Sequence, residues 1–206
     1  MVGIVNYERG NLNSVSKALE KVGAEVKLVS SPHEMTGLDA VVLPGVGAFG
    51  DAAKNLQEKG LWEPVRDWVK ADRPFFGICL GYQLLFESSE ETPGIAGLGV
   101  FQGRVKRFQA VPGMKVPHMG WECLEIKQPS LCLWDSLPSE PWVYFVHSYF
   151  VAPEEPALTS SVVQYGEEFA ASIAVGNCFA TQFHPEKSQA VGLQMLENFV
   201  RKFCLN

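Results

Sequence analysis

The sequence predicts an α/β protein: a mostly parallel central sheet flanked by helices, with an antiparallel, β-rich portion in the second half. In the first half, short apolar runs alternate with helical apolar patterns, which is typical of βαβ units. In the second half, β-rich runs follow one another with glycine-containing turns between them, which indicates antiparallel pairing. A chain of 206 residues can bury a sizeable core, and we expect a single domain over residues 1–206.

The first half is predicted to contain four strands, at residues 2–6, 25–30, 39–43 and 75–78. We expect Asn13 or Ser14 to cap the first helix and Gly23 to end it. Its apolar positions are Val15, Ala18, Leu19 and Val22. Two further helices are predicted at 51–58 and 61–70, and a helical stretch at 82–86 follows the fourth strand. The third strand is expected to stop at Pro44.

The clearest strands of the second half are predicted at residues 143–151, 158–164, 169–175 and 178–183. Gly166 and Gly176 mark turns between them. A helix at 189–203, with an apolar position every three to four residues, is predicted to close the chain.

Composition narrows the functional class. The net charge of −6 argues against nucleic acid or an anionic membrane surface as the main partner. Five cysteines without a Cys-x-x-Cys pair suggest neither a disulfide framework nor a metal site, so we expect no metal, no cofactor and a cytoplasmic setting. The N-terminus lacks the pattern of a signal peptide, and no segment approaches the roughly 20 apolar residues of a membrane span.

Cys79 lies in the most informative motif of the chain. An apolar run leads into Gly-x-Cys-x-Gly at residues 77–81, and a helix-compatible stretch follows. This is the thiol counterpart of the nucleophile elbow, in which a sharp strand-to-helix turn exposes the nucleophile. The glycines remove side chains that would collide, and a following helix N-terminus favours the thiolate. The alternative is a buried structural cysteine, which is the commonest state of a free cysteine.

His184 is the best candidate for the base that activates the thiol. It follows an apolar strand and precedes Pro185 and Glu186, so a rigid turn holds an imidazole and a carboxylate two residues apart. Glu186 can then hold the ring in the tautomer that accepts the Cys79 proton. Taken singly, each residue is more simply a solvated surface group. Taken together with the elbow, they predict a Cys79–His184–Glu186 triad.

Residues 44–47, Pro-Gly-Val-Gly, follow the third strand at the same expected sheet edge. The glycines allow the backbone to aim an N–H of Val46 or Gly47 into the cleft. The N–H of Leu80, just after the nucleophile, would be a second oxyanion donor. Taken alone, the segment is more simply an ordinary strand-to-helix turn.

These motifs together resemble the class I glutamine amidotransferases, which use a Cys-His-Glu triad and have a flavodoxin-like three-layer fold. The resemblance extends over essentially the whole chain. Segments 117–121, 144–149 and 184–188, together with the opening stretch 6–12, are similar to the glutaminase subunits of imidazole glycerol phosphate synthases. The resemblance implies that L-glutamine is hydrolysed through a γ-glutamyl thioester. It also implies a heterodimer in which ammonia passes to a cyclase subunit, in histidine biosynthesis.

The resemblance also implies roles for further residues. Glutamine would be bound at Gly45, Gln83, Glu91, His147, Ser148 and Tyr149. The partner interface or the ammonia path would involve His118, Met119, Trp121 and Lys187. Without the resemblance, Glu91 and Lys187 would be solvated charges, His118 a turn histidine, and Met119 and Trp121 core or interface residues.

The sequence departs from the family pattern at two places. The opening stretch usually reads Asp-Tyr-Gly, but Asn6 and Glu8 take the outer positions here. Glu122 replaces the Asn that usually follows Gly-Trp. Both departures lie in segments expected near the partner, so they affect the partner contact rather than the triad.

Three alternatives compete with this interpretation. The chain could serve another synthase, such as anthranilate, aminodeoxychorismate or pyridoxal phosphate synthase, although segments 117–121 and 144–149 argue against this. It could be a non-catalytic regulatory subunit of the same fold, against which the intact triad argues. It could be a cysteine peptidase or thiol hydrolase, but Gln83 and the His-Pro-Glu spacing favour the amidotransferase.

Overall fold

The computed structural model of the chain describes residues 1–8, 10–109 and 113–204. Arg9, in the opening stretch, lies outside the described residues. The helices are α1 Leu12–Lys21, α2 Phe49–Glu58, α3 Trp62–Lys70, α4 Leu80–Gln83 and α5 Gln189–Phe203. The strands are β1 Val2–Val5, β2 Val26–Val29, β3 Ala40–Gly45, β4 Phe75–Cys79, β5 Ser88–Ser89, β6 Gly103–Arg107, β7 His118–Cys123, β8 Glu125–Ile126, β9 Trp142–His147, β10 Tyr149–Pro153, β11 Thr159–Tyr165, β12 Glu167–Val175 and β13 Cys178–Thr181.

An eight-stranded sheet in the order β2-β1-β3-β4-β13-β12-β11-β8 forms the centre of the protein. Its first five strands are parallel, and β12, β11 and β8 continue it antiparallel. The predicted α/β class, with a parallel first half and an antiparallel second half, is confirmed.

Helices cover both faces of this sheet because its buried strands are apolar on both sides. Alternate strand residues enter two separate cores, as the two-residue period of a strand requires. Phe76 packs with α1 and α5 on one face. Its neighbour Phe75 packs with α2 and α3 on the other. Three layers result, with the parallel strands in the middle.

Two smaller sheets lie beside the central one, β10-β6-β5 and the ribbon β7-β9. The single strand predicted at 143–151 is wrong, because the chain leaves one sheet at Ser148 and enters another. β9 pairs with β7 on one side of this break, and β10 pairs with β6 on the other. A continuous apolar and aromatic pattern does not reveal such a change of partner.

Two predicted boundaries in the first half also differ from the structure. The α1 cap is Asn11, whose side chain accepts the Ser14 N–H, rather than Asn13 or Ser14. β3 continues through Pro44 to Gly45, which lies opposite Cys79 in register. The Pro44 carbonyl accepts a hydrogen bond from the Tyr7 hydroxyl. In the part of the chain that the structure describes, no helix is long and apolar enough to span a membrane.

Candidate active site

The candidate site lies at the carboxyl edge of the parallel strands. Cys79 ends β4, which lies between β3 and β13. β13 ends at Thr181, opposite Ile78, and His184 follows three residues later. Neighbouring parallel strands end at one edge, so the elbow, the 44–47 turn and the His-Pro-Glu segment come together there.

Cys79 has the strained backbone expected of a nucleophile elbow, with φ 53° and ψ −104°. A non-glycine residue in this region costs roughly 1–3 kcal/mol, which the surrounding structure must supply. Gly81 is required because a Cβ there would lie 1.8 Å from the Leu43 carbonyl oxygen. The helix after the elbow is the single turn α4, so the helical stretch predicted at 82–86 begins two residues earlier than expected and ends at Gln83.

The His184 ring is held by Glu186, with 2.8 Å between Nδ1 and Oε1. Both side chains are buried. The turn that carries them is attached to β9. The Ser188 hydroxyl donates to the His184 carbonyl at 2.7 Å and accepts the Tyr144 N–H at 3.0 Å. Glu186 therefore orients a ring whose backbone is already fixed.

The electrostatics of His184 favour the imidazolium form. Burial disfavours the charged ring, but the Cys79 thiolate and the Glu186 carboxylate overcome this and raise the pKa of His184 to about 10. Nε2 of the ring is buried and makes no well-formed hydrogen bond within the described part of the chain. The arrangement supports a thiolate–imidazolium pair, which is the reactive state of a cysteine nucleophile.

A cavity of about 500 Å³ opens at Cys79. It brings together most of the residues singled out from the sequence. Its lining includes Val46, Gly47, Cys79, Leu80, Gln83, Glu91, His147, Ser148, Tyr149, His184 and Lys187, together with Pro117 and Val146. The volume suits a small ligand of amino-acid size.

Other predicted residues lie outside the cavity lining. Gly45 is buried beneath it, where an added Cβ would lie 2.3 Å from the Tyr7 hydroxyl oxygen. Met119 and Trp121 are on the ribbon, 61% and 40% exposed. His118 is only 1% exposed, so its side chain is not part of that surface.

Residues 46 and 47 directly follow the end of β3 and line the cavity. Val46 is exposed, and Gly47 has φ 97°, which favours glycine. Leu80 begins α4 directly after the nucleophile. All three residues line the same cavity as Cys79, and their role as oxyanion donors stays a prediction.

Gln83 and Glu91 are already engaged within the protein. The Gln83 amide nitrogen donates to the Tyr149 carbonyl and to Gln182 Oε1, each at 3.0 Å. Its own oxygen is therefore the atom left to accept from a ligand. Glu91 accepts the Phe49 N–H at 2.7 Å, at the start of α2. A carboxylate is favoured there by the helix dipole.

Gln182 is a site residue that sequence reasoning missed. Its side chain is fully buried, and its amide nitrogen lies 3.6 Å from Cys79 Sγ. One signal could have revealed it: residues 182 and 184 are two apart at the end of a strand, and this spacing directs side chains to the same face.

Comparison with known proteins identifies this arrangement. The family model for "Glutamine amidotransferase class-I" matches residues 3–203. The chain belongs to this family. The fold and family predicted from the motifs are therefore confirmed.

Within this amidotransferase family, the chain is similar over nearly its full length to curated proteins that share one name. The chain is 54% identical to "Imidazole glycerol phosphate synthase subunit HisH" of Thermosynechococcus vestitus, over 97% of this chain and 95% of the relative. It is 48% identical to the protein of the same name from Synechocystis, over 100% and 98% of the two chains.

Solved structures support the fold. A structure titled "Crystal structure of glutamine amidotransferase" matches with a TM-score of 0.75 and 23% identity, covering 97% of each chain. "Structure of PurLQS from Thermotoga maritima" matches with a TM-score of 0.77 and 18% identity, covering 98% of this chain and 97% of that one.

The departures from the amidotransferase family pattern have local explanations. Glu8 adopts φ 66°, in the left-handed region, and its carboxylate pairs with Lys59 at 2.7 Å. Glu122 contacts the buried His118 ring, with 3.3 Å between Oε1 and Nε2. The second departure therefore reaches a buried histidine rather than solvent alone.

Proposed function

We propose that this chain is the glutaminase subunit of imidazole glycerol phosphate synthase, acting in the cytoplasm as a single domain over residues 1–206. It hydrolyses L-glutamine to glutamate and ammonia, and delivers the ammonia to a cyclase subunit with which it forms a heterodimer. That subunit makes imidazole glycerol phosphate and AICAR in histidine biosynthesis. The observation that carries the chemical part is the strained Cys79 elbow beside the buried His184–Glu186 pair.

The first step is acylation of Cys79. The thiolate attacks the side-chain carbonyl carbon of glutamine, forming a C–S bond and a tetrahedral oxyanion. The His184 imidazolium then protonates the amide nitrogen, and the C–N bond breaks to release ammonia. The product is the γ-glutamyl thioester, and His184 is left neutral.

Deacylation reverses the roles. Neutral His184 takes a proton from water as the water oxygen attacks the thioester carbonyl, and the C–S bond breaks to give glutamate. The proton remains on His184, and the thiolate is regenerated. Glu186 keeps the ring in one orientation through both steps, because its carboxylate bonds Nδ1 at 2.8 Å.

We assign the oxyanion donors to the N–H of Leu80 and an N–H of Val46 or Gly47, each worth about 3 kcal/mol. Glutamine would lie in the 500 Å³ cavity against Gln83 and the 147–149 segment. Gly45 supports this wall from below. The Glu91 carboxylate, already bonded to the start of α2, would pair with the ammonium of the substrate.

We place the partner contact on the ribbon and the cavity rim. Met119 and Trp121 offer exposed apolar surface there, and Lys187 lines the cavity beside the triad. An exposed apolar group next to an active site is typical of an interaction surface. The buried His118 lies directly beneath, along the route we propose for ammonia.

The deciding experiment is co-purification with the candidate cyclase subunit, followed by glutamate release with and without its ribonucleotide substrate. We expect little release by the chain alone and much more in the complex. A glutamine-mimicking diazoketone should label Cys79 in competition with glutamine. Absence of labelling with and without the partner would reject the glutaminase function, and full turnover unchanged by the partner would reject its control by the cyclase.

A further inference from the structure

A chain of hydrogen bonds connects the nucleophile to the far side of the ribbon. Its proximal half starts at Cys79 Sγ, 3.6 Å from the amide nitrogen of Gln182. The Gln182 oxygen accepts from the Gln83 amide nitrogen at 3.0 Å, and that nitrogen also donates to the Tyr149 carbonyl at 3.0 Å. Gln83 and Gln182 are both buried, so water does not replace these contacts.

The direction of these hydrogen bonds follows from elementary chemistry. A backbone carbonyl can only accept, so Gln83 must present its NH₂ group to Tyr149. The same nitrogen faces Gln182, which must therefore present its oxygen to Gln83. The NH₂ group of Gln182 is then directed at Cys79, where it donates to the sulfur. A donor at this place stabilises the thiolate more than the thiol.

The distal half starts at the same carbonyl of Tyr149. His147 donates to it from Nδ1 at 2.8 Å. His147 Nε2 lies 3.0 Å from His118 Nδ1, and His118 Nε2 lies 3.3 Å from Glu122 Oε1. His118 and His147 are opposite each other in the β7–β9 register, which fixes this contact.

The number of protons on the two histidines determines which of their nitrogen atoms donate and which accept in the distal half of the chain of hydrogen bonds. Because His147 Nδ1 must donate and burial lowers the pKa of this ring to about 3, its Nε2 is an acceptor. His118 therefore donates from Nδ1. Its Nε2 can donate to Glu122 only if the pair takes up one more proton. An Asn or Gln at position 122 would instead donate to neutral His118, with no extra proton.

We propose that Gln182 is a positioning residue for the Cys79 thiolate, held in its donor orientation by Gln83, whose own orientation is fixed by the Tyr149 carbonyl. This deepens the proposed glutaminase function and rests on it. The Gln182 NH₂ group occupies one side of the sulfur. Gln182 supplies no proton and forms no bond to substrate.

Two isosteric substitutions test the donor. Gln182→Met removes the N–H and keeps the volume. Gln182→Glu also keeps the hydrogen bond from Gln83 but places an oxygen against the sulfur. Because hydrogen bonds to charged groups contribute about 1.5–3 kcal/mol, we expect kcat to fall about 10- to 100-fold in Gln182→Met, and further in Gln182→Glu. The KM for glutamine should change less than about threefold, since ground-state binding is not touched.

The decisive readout needs neither glutamine nor the partner. Iodoacetamide alkylation of Cys79, followed peptide by peptide in a mass spectrometer, reports thiolate formation as a function of pH. The pH midpoint should move upward in Gln182→Met, by about one unit, and further in Gln182→Glu. Gln164→Met, on the exposed face of β11, is the matched control and should leave the profile unchanged.

The outcomes separate the proposal from the proposed function. An unshifted alkylation profile in both folded variants overturns the role of Gln182, as does an equal effect of Met and Glu. If the parent chain releases no glutamate even in the complex with the cyclase subunit, but the alkylation profile shifts in the expected order, the positioning role stands and the glutaminase function fails. Glu122→Gln tests the distal end: we expect an altered His118 imidazole signal in NMR, and an unaltered one contradicts the proton count.

Discussion

Two regions of this protein contain a histidine beside a carboxylate, and they behave in opposite ways. At the sheet edge, His184 and Glu186 are 2.8 Å apart, and the pKa of His184 is raised to about 10. On the ribbon, His118 and Glu122 are 3.3 Å apart, yet the pKa of His118 is lowered. Both rings are buried, so burial alone does not separate them.

The remaining neighbours explain the difference. Burial opposes the charge on each ring, but His184 faces a thiolate as well as a fully buried carboxylate. His118 faces the His147 ring, stacks on Tyr165, and has a carboxylate that is 32% exposed and therefore screened. A histidine–carboxylate pair is thus not by itself a mark of a catalytic base. The third group beside the ring determines whether the pKa of the histidine is raised or lowered: the Cys79 thiolate raises it at His184, whereas the His147 ring leaves burial to lower it at His118.

The largest expected effect comes from removing that third group at the sheet edge. Cys79→Ala should abolish glutamate release, with a loss of at least about 10⁴-fold, because no other group can form the thioester. The pKa of His184, followed by NMR of the imidazole, should fall because the thiolate is gone. Cys132→Ala, in the segment between β8 and β9, is the control and should retain activity. An unchanged pKa of His184 would contradict the claim that the thiolate is what distinguishes His184 from His118.

The next largest effect on kcat should separate the two carboxylates, Glu186 and Glu122. Glu186→Gln keeps the shape but removes the charge that orients and stabilises the His184 imidazolium, and we expect kcat to fall about 10²- to 10⁴-fold. Glu122→Gln is the matched substitution on the ribbon, where we expect less than about a tenfold change, because Glu122 contacts His118 rather than Cys79 or His184. Steady-state glutamate release in the complex measures both. Equal losses would show that the pairs play equivalent roles.

The last prediction concerns stability in acid rather than activity. The unfolded chain protonates His147 near its ordinary pKa of roughly 6.5, whereas the folded ring protonates only at about 3. The unfolded state therefore binds more protons in this interval, and the free energy of unfolding falls as the pH drops from about 6.5 to 3. The slope from this ring reaches about 1.4 kcal/mol per pH unit.

Urea unfolding at a series of pH values measures this slope. His147→Gln, which keeps a donor and an acceptor, should flatten the acid limb in addition to any uniform loss of stability. A slope identical in parent and variant would show that the folded ring takes up its proton over the same pH range as the unfolded one, and would contradict the neutral His147 to which His118 donates.

The first half of the fold was predictable because each signal is local. Apolar runs and helical periods between residues 2 and 78 correspond to β1 to β4 and α1 to α3 within a few residues. The errors fall where local signals compete: Asn11, Asn13 and Ser14 are all good caps, and only packing selects Asn11. In the second half, the pattern at 143–151 is uniformly β-like, and the switch at Ser148 depends on which strand lies alongside.

The candidate site shows the same division. Cys79, His184 and Glu186 were found because their motifs are short in sequence. Gln182 was missed because its importance arises from a contact with Cys79, 103 residues away along the chain. Glu91 is predicted as a substrate contact. Its hydrogen bond from the Phe49 N–H could not be predicted, because the two residues are 42 apart along the chain and no local pattern connects them.

By itself, the sequence determined the alternating α/β pattern, the nucleophile motif and the His-Pro-Glu segment, since each depends on residues within a few positions of one another. Only the tertiary structure brought His118 and Glu122 together as a second histidine–carboxylate pair, in which the buried ring faces His147 rather than Cys79. It also decided that Gln182 lies between Gln83 and the sulfur of Cys79. The physical reason is that the pKa of a buried group depends on every charge and dipole around it, and in this protein those neighbours come from distant strands.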